Sequence, residues 1–305
     1  MTVHGSPSQV GDGRFFAAEM ATQPTDWVRA AGRVPELRSL LPSPGERVAV
    51  VGCGTSFFIA QAYAALRERE GQGLTDAWPA SEHRLDRGYD RLVALSRSGT
   101  TTEVIEVLER YGPRLPSTVI TADPDTPVVD LAAPLVLDDV DERSVVQTRF
   151  ATTTLALLRA SLGETIEDAA AQAQEVLDAG PEILGAVETA EQVTFVGRGW
   201  TVGLANEAAL KLRESTQAWT ESYPAMEYRH GPISITSAGR AVWAFGEVPS
   251  GLAEQIQATG GHFEHADRDP LADLVRVHRL CLSRAGAAGL NPDAPRNLTR
   301  SIILA

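Results

Sequence analysis

Lysine is almost missing from this chain: of 27 basic residues one, Lys211, is lysine and the rest are arginine. Cysteine is nearly as scarce, and Cys53 and Cys281 cannot build a disulfide framework in 305 residues. No apolar run approaches the roughly 20 residues that span a bilayer. The opening stretch MTVHGSPSQVGDG lacks the apolar core of a secretory signal. Positive charge is in deficit, with 40 acidic residues and a formal net charge of -13. Such a surface repels nucleic acid and anionic lipid, so neither a nucleic-acid nor a membrane partner is expected. What is present, 43% hydrophobic and 22% charged residues, fills the cores of one large or two medium domains and excludes disordered or collagen-like chains. These features predict a soluble cytoplasmic protein.

Short apolar runs alternate with helical periodicity, the pattern of parallel strands joined by helices, so the fold class is α/β. A strand over 47–51 leads through Gly52-Cys-Gly-Thr-Ser56 into an Ala-rich helix from Phe57 to about Arg69. A second strand, 91–95, turns through Ser96-Arg-Ser-Gly-Thr-Thr101 into a helix with Val104, Ile105, Val107 and Leu108 on its apolar side. Strands at 118–121 and 135–137 extend a small doubly wound sheet. An offset of 145 residues lays Val48, Val51, Gly52, Gly54, Ala60 and Ala64 on Val193, Val196, Gly197, Gly199, Ala205 and Ala209, which favours a duplicated domain. Between the copies a polar helix from Glu164 to about Ala179 ends at Gly180-Pro181. Phe15 to Gly32 reads as an N-terminal helical arm interrupted at Pro24.

Two turns and one helix could carry chemistry. The Gly52–Ser56 turn lies where a strand ends and a helix begins, the edge at which open parallel sheets bind ligands. It completes neither the dinucleotide nor the Walker pattern. In the Ser96–Glu103 segment five hydroxyls crowd a helix start, where hydroxyls and free N–H groups can surround a phosphate. Helix capping would need only one of them. The matching turn of the second half, Ala244–Ser250, carries Glu247 instead and is expected to bind no phosphate. There the polar density moves to Glu207, Lys211 and Glu214, spaced i, i+4, i+7 on one helical face. A solvated ladder is the ordinary reading of such a face. A GC-rich coding bias would account for the arginines but not for the one lysine, and a compact ammonium is what a guanidinium cannot imitate. A carboxylate, an amine and an imidazole such as His230, which precedes Gly-Pro, could move protons between adjacent carbons of an open-chain sugar. His262 and His265 with Glu264 make a weak metal pattern, and no metal and no cofactor are assigned.

Together these motifs resemble the sugar isomerase (SIS) domain family, and within it the isomerase half of glucosamine-6-phosphate synthase. The segments that carry the resemblance are 52–56, 96–101, Glu142-Arg-Ser-Val-Val-Gln-Thr148, 207–214, Glu227-Tyr-Arg-His-Gly-Pro232 and the tail 291–301; Glu19-Met-Ala-Thr-Gln-Pro24 is similar to the family's arm. The resemblance implies two tandem SIS domains, each a small, flavodoxin-like, doubly wound parallel sheet flanked by helices. The arm would span 1–33, the first domain 34–163, a linker helix 164–181, and the second domain with its tail 182–305. Gly54, Thr55, Ser56, Ser96, Arg97, Ser98 and Thr101 would bind the sugar phosphate. Glu214 would move the proton between C1 and C2, Lys211 and Glu207 would support it, and His230 would assist ring opening from the partner subunit of a homodimer.

Two departures qualify what the resemblance implies. The chain begins Met1-Thr-Val-His, without the glutaminase domain and its nucleophilic cysteine, so glutamine is not expected as nitrogen donor. The lysine that forms an imine with the ketose falls on Arg300, whose guanidinium stays protonated and is not nucleophilic. Arg300 is instead expected as a charge partner in a tail that closes over the site. The reading is a phosphosugar isomerase or deaminase for a hexose or amino sugar 6-phosphate. Its alternatives are a non-catalytic phosphosugar sensor and a deglycase of phosphorylated glycated amines.

Overall fold

The computed structural model describes residues 13–304; the stretch read above for a secretory signal lies, but for Gly13, outside the described residues. The chain opens with α1 (Arg14–Gly32) and a single turn, α2 (Val34–Leu37). A first unit follows: β1 (Val48–Gly52), α3 (Thr55–Arg69), β2 (Thr75–Pro79), β3 (Arg91–Leu95), α4 (Thr102–Tyr111), β4 (Ser117–Thr121), α5 (Val128–Leu131), β5 (Ala133–Val136) and α6 (Arg149–Ser161). After α7 (Glu167–Asp178) come β6 (Gln192–Gly197), α8 (Thr201–Thr216), β7 (Thr220–Pro224), β8 (Arg240–Phe245), α9 (Leu252–Ala258), β9 (His262–His265) and α10 (Pro270–Ala287). All strand pairs are parallel, in the orders β2-β1-β3-β4-β5 and β7-β6-β8-β9. Every residue of β1 is buried, as expected of a central parallel strand covered by helices on both faces. The strand order reverses between β1 and β3, and ligands bind at such a switch point. Among the described residues no helix is long and apolar enough to cross a membrane.

The first sheet has one strand more than the sequence pattern predicts. β2 lies at the sheet edge, is mostly half-buried and ends in proline, so it lacks the apolar run that marks β1 and β3. The helical arm is not interrupted: α1 runs through Pro24. Proline cannot donate to the carbonyl four residues back, and the buried side-chain amide of Gln23 donates to that Met20 carbonyl instead, at 3.0 Å. The same Gln23 accepts from Thr152 Oγ1 at 2.8 Å and meets His278 Nδ1 at 3.3 Å, while the Trp27 indole donates to Thr152 Oγ1 at 3.0 Å. This buried polar chain ties α1 to α6 and α10.

The 145-residue offset reaches beyond the motif that revealed it. Val48 pairs with Thr75 and Val193 with Thr220, so both edge strands stand at the same register. The two copies meet along α3 and α8, where Asn206 Nδ2 donates to Gln61 Oε1 at 2.8 Å, two side chains themselves 145 residues apart. At the crossing a side chain on Gly203 would place its Cβ 2.5 Å from the Phe58 carbonyl oxygen and 2.7 Å from the Ala62 nitrogen. Only glycine allows this approach. Gly203→Ala should therefore cost about 1–3 kcal/mol by forcing the helices apart, read as a lower denaturation midpoint; unchanged stability would show that α3 and α8 separate freely.

Candidate active site

At the β1/β3 switch point a cavity of about 170 Å³ opens between the two units. Its walls come from four places: Cys53, Gly54 and Thr55 after β1; Arg97 and Thr101 after β3; Val145 and Gln147 ahead of α6; and Lys211 with Glu214 on α8. The tail, Leu298 to Ile302, forms its roof.

The α8 face is not a solvated ladder. Lys211 and Glu207 are each 1% exposed and Glu214 19%. Lys211 Nζ lies 2.5 Å from Glu214 Oε2 and 3.6 Å from Glu207 Oε1. Burial alone would depress the Lys211 amine, but the Glu207 and Glu214 charges outweigh it and hold its pKa above the ordinary lysine value. Burial pushes Glu207 up to about 7 against the pull of Lys211. The cavity wall thus holds a fixed ammonium and a carboxylate bonded to it, while Glu207, buried outside the lining, stands behind Lys211. The Cys53 thiol, pushed up to about 11 by burial and then by the charge of Glu103, is no thiolate nucleophile at neutral pH.

On the opposite wall the predicted residues divide. Gly54, Thr55, Arg97, Thr101 and Arg300 line the cavity; Ser56, Ser96 and Ser98 are buried outside its lining. Ser98 Oγ accepts from the Thr100 N–H at 3.3 Å, so one hydroxyl of the cluster serves the turn itself. The turn is held tight because Gly99, at φ 62°, leaves no room for a Cβ beside Thr126. His230 is exposed at the end of a single helical turn, Glu227–Arg229, and is not in the cavity wall of its own chain. In the second unit the corresponding turn carries Glu247, paired with Arg198 on the surface.

Arg97 is buried and its guanidinium is engaged by protein: Nη1 donates to the Ser144 and Val145 carbonyls at 3.0 and 3.4 Å, Nη2 to the Arg300 carbonyl at 3.1 Å, and Glu142 lies 3.7 Å away. The side chain of Arg300 pairs with Asp141 and donates to the Glu142 carbonyl. Further on, Thr100 Oγ1 meets Ser301 Oγ at 2.9 Å and the Thr102 N–H donates to the Ile302 carbonyl at 3.2 Å. Arg97 and Arg300 therefore clamp the tail to the 141–145 loop.

Val145 and Gln147 lie in the segment that carries the resemblance, yet as an aliphatic and an amide they carry no sign of chemistry in the sequence; Cys53 enters the wall from the Gly52–Ser56 turn. Two buried carboxylates set the loop. Glu142 Oε1 accepts from the Thr148 and Arg149 N–H groups at the start of α6, at 2.5 and 2.9 Å, and Glu19 on α1 accepts from the Arg143 and Ser144 N–H groups. The oxygen of Gln147 is buried without a hydrogen-bond partner, while Glu142 Oε2 and Glu207 are held by the longer ion pairs to Arg97 and Lys211.

No family model matches the chain. Among curated proteins it is 26% identical over 318 residues to glutamine--fructose-6-phosphate aminotransferase [isomerizing] of Xylella fastidiosa, covering 84% of this chain and 51% of that one. The chain spans about half the length of the curated relatives it matches. Among solved structures, glucosamine-6-phosphate deaminase of Thermotoga maritima superposes with a TM-score of 0.76 at 22% identity, over 94% of this chain and all of that one. The C-terminal domain of glucosamine-fructose-6-phosphate aminotransferase from Francisella tularensis gives 0.75 at 20% identity, over 91% and 97%. The fold is the tandem sugar isomerase fold. Within this SIS fold the cavity occupies the switch point of the first sheet, and α8 of the second unit supplies its charged wall.

Burial pushes the Glu19 carboxyl up to about 7 from an ordinary 4.5, over the opposing bond from Arg143 and with help from the charge of Glu142. A carboxyl raised on folding stabilises the protein fully below its unfolded pKa, and that contribution is lost as pH rises through the folded value. Wild-type protein should thus lose melting temperature between pH 4.5 and about 7 relative to Glu19→Gln. Parallel melting-temperature profiles would show instead that Glu19 stays ionised beneath the loop.

Proposed function

We propose that the protein is a phosphosugar enzyme of the cytoplasm, acting as a homodimer on a hexose or amino sugar 6-phosphate by proton transfer between C1 and C2. One observation carries this reading: Glu214, partly exposed in the cavity wall, has its carboxylate held 2.5 Å from the ammonium of a buried lysine. A base so placed takes the proton from C2 of the open-chain aldose and returns it to C1. The Lys211 charge stabilises the negative charge that develops on oxygen between the two transfers. The proton that leaves O2 passes to O1 by way of the Lys211 ammonium, which gives one to O1 as it takes one from O2; Glu207, buried outside the cavity lining, pairs with Lys211 from behind. With a hydroxyl on C2 the product is the ketose. With an amine on C2 the same transfer leaves an imine at C2, which water cleaves to ketose and ammonia.

The phosphate is assigned to the two turns after β1 and β3, with Gly54, Thr55 and Thr101 offering neutral donors at the starts of α3 and α4, while Ser56, Ser96 and Ser98, outside the lining, shape the turns. Arg97 and Arg300 hold the surrounding loop and tail. His230, exposed and outside its own chain's cavity, is assigned to ring opening in the neighbouring subunit. The similarity to an isomerizing aminotransferase and to a glucosamine-6-phosphate deaminase supports the reaction class.

The test is to follow ammonia and fructose 6-phosphate together when purified protein meets glucosamine 6-phosphate, with hexose 6-phosphates assayed for isomerisation. Glu214→Gln should lower turnover by about 10²–10⁴-fold, the range for a positioned acid–base group, while leaving ligand-induced thermal stabilisation in place. An undiminished rate removes Glu214 from the mechanism. Wild-type protein that is stabilised by these sugars but turns none over is a sensor.

A further inference from the structure

One carboxamide in the cavity wall is bonded to nothing. Gln147 lines the space at the switch point and is half-buried there. Its amide oxygen is buried and accepts no hydrogen bond, and among the described residues its amide nitrogen donates none. Buried amides are ordinarily paired, because an acceptor taken out of water without a partner costs stability. The backbone on either side of Gln147 is, by contrast, firmly held. The Val145 and Val146 N–H groups donate to the Asp293 and Pro292 carbonyls at 3.1 and 3.4 Å, and the Thr148 N–H donates to Glu142 Oε1 at 2.5 Å. A residue fixed at its backbone and unpaired at its tip is what an orienting contact to a ligand requires. The last torsion of a glutamine is soft, so the amide plane can turn to meet a bound molecule.

The other walls of the cavity are already assigned. In the reading above the phosphate on C6 lies at the turns after β1 and β3, and the reacting carbons C1 and C2 lie at Glu214 and Lys211 on α8. Gln147 enters from a third element, the loop ahead of α6. Between the two ends of an open-chain hexose 6-phosphate stand C3, C4 and C5, whose hydroxyls neither react nor carry charge, and C5 adjoins the phosphate arm. A carboxamide is likewise neutral. It offers a donor and an acceptor side by side in one plane, which matches a pair of adjacent hydroxyls, one receiving a hydrogen and the other giving one.

We propose that Gln147 is a specificity-determining residue, its carboxamide binding the hydroxyls on C3 and C4 of the open-chain sugar phosphate and so reading the configuration at those carbons. The inference rests on the phosphosugar reading above and narrows it to hexose phosphates whose C3 and C4 hydroxyls both meet one amide plane. A sugar with either hydroxyl inverted leaves half of the amide unpaired, and a site built to hydrogen-bond a hydroxyl rejects a ligand that cannot supply it more strongly than an apolar pocket rejects a misfit. Holding C3 and C4 also fixes C1 and C2 against Glu214, so the contact bears on orientation for proton transfer as well as on binding.

The experiment titrates the full chain and its Gln147→Leu variant calorimetrically with fructose 6-phosphate and with its 3-deoxy, 4-deoxy and 1-deoxy analogues. Wild-type protein should bind the 3-deoxy and 4-deoxy sugars about tenfold or more weakly than fructose 6-phosphate, as the loss of a hydrogen bond to a buried amide implies. In Gln147→Leu fructose 6-phosphate should weaken by a similar factor and the two penalties should shrink to near one. The 1-deoxy sugar, whose missing hydroxyl faces α8, should carry the same penalty in both proteins. Gln147→Met, unbranched like glutamine, replaces the leucine variant if that variant does not fold. Penalties absent from wild type, penalties unchanged in the variant, or a folded variant that binds none of the four sugars overturn the inference, while wild-type binding of fructose 6-phosphate keeps the phosphosugar reading. Failure of wild-type protein to bind fructose 6-phosphate defeats that reading and this inference with it.

Discussion

An ammonium buried to 1% exposure is the constraint around which the rest of this structure is arranged. Taking such a charge out of water costs several kcal/mol unless it is paired, and Lys211 is paired twice, closely with Glu214 and more loosely with Glu207. The surroundings cannot then add a second cation. His278, packed behind α8 on α10, is driven down to about 3 by burial and by the Lys211 charge, so it meets Gln23 of α1 as a neutral ring. Cys281, one turn further along α10, is pushed up to about 12, chiefly by burial, and stays a thiol. A guanidinium, larger and planar, would not take the place of a point charge between two carboxylates two turns apart, each about one turn from it. The scarcity of lysine in a chain rich in arginine is thereby given a physical meaning at one position.

Duplication explains how this helix reaches a cavity on the other unit's sheet. The copies are joined back to back at α3 and α8, through Asn206 and Gln61 and the close passage at Gly203. That crossing brings the start of α3 against the middle of α8, where Gly54 comes within Cβ contact distance of Leu210. One unit therefore presents a helix start with free N–H groups and the other presents a charged helix face. Neither turn alone would make an enclosed site. In the second unit the equivalent switch point closes with Arg198 paired to Glu247. The repeat kept its strand register while its two turns took different chemistry.

The legible parts of the fold were those with a strong period. β1, β3 and β4 read as strands because their residues are buried on both faces, and the helices after β1 and β3 follow from the turns that begin them. β2 and β7 stayed hidden because Thr75–Pro79 and Thr220–Pro224 are edge strands with no apolar run and a proline at the end. Pro24 looked like a break because a one-dimensional pattern shows the missing N–H and not the Gln23 amide that replaces it at Met20. In the site, charge was legible and shape was not. Glu207, Lys211 and Glu214 stood out by spacing, whereas Val145 and Gln147 enter the wall through a loop fixed by Glu19 and Glu142, contacts spanning 124 residues in the first case. The hydroxyl cluster signalled the turn correctly, but which of its members face the cavity depends on side-chain direction within a tight bend.

Arg300 acts on the cavity through position. Its guanidinium is bound to Asp141 and the Glu142 carbonyl, and its own carbonyl accepts from Arg97, so side chain and backbone both draw the tail onto the loop. Arg97 Nη1 donates to the same loop and Nη2 to the tail, while its Nε is buried without a partner. The two arginines nearest the hydroxyl turn are thus committed to protein acceptors and balanced by Glu142 and Asp141. A phosphate bound there would be met by N–H groups and hydroxyls at helix starts, without drawing either arginine from its protein acceptors. The charge facing the cavity is then confined to α8, where Lys211 and Glu214 are paired and burial pushes Glu207, behind them, up to about 7.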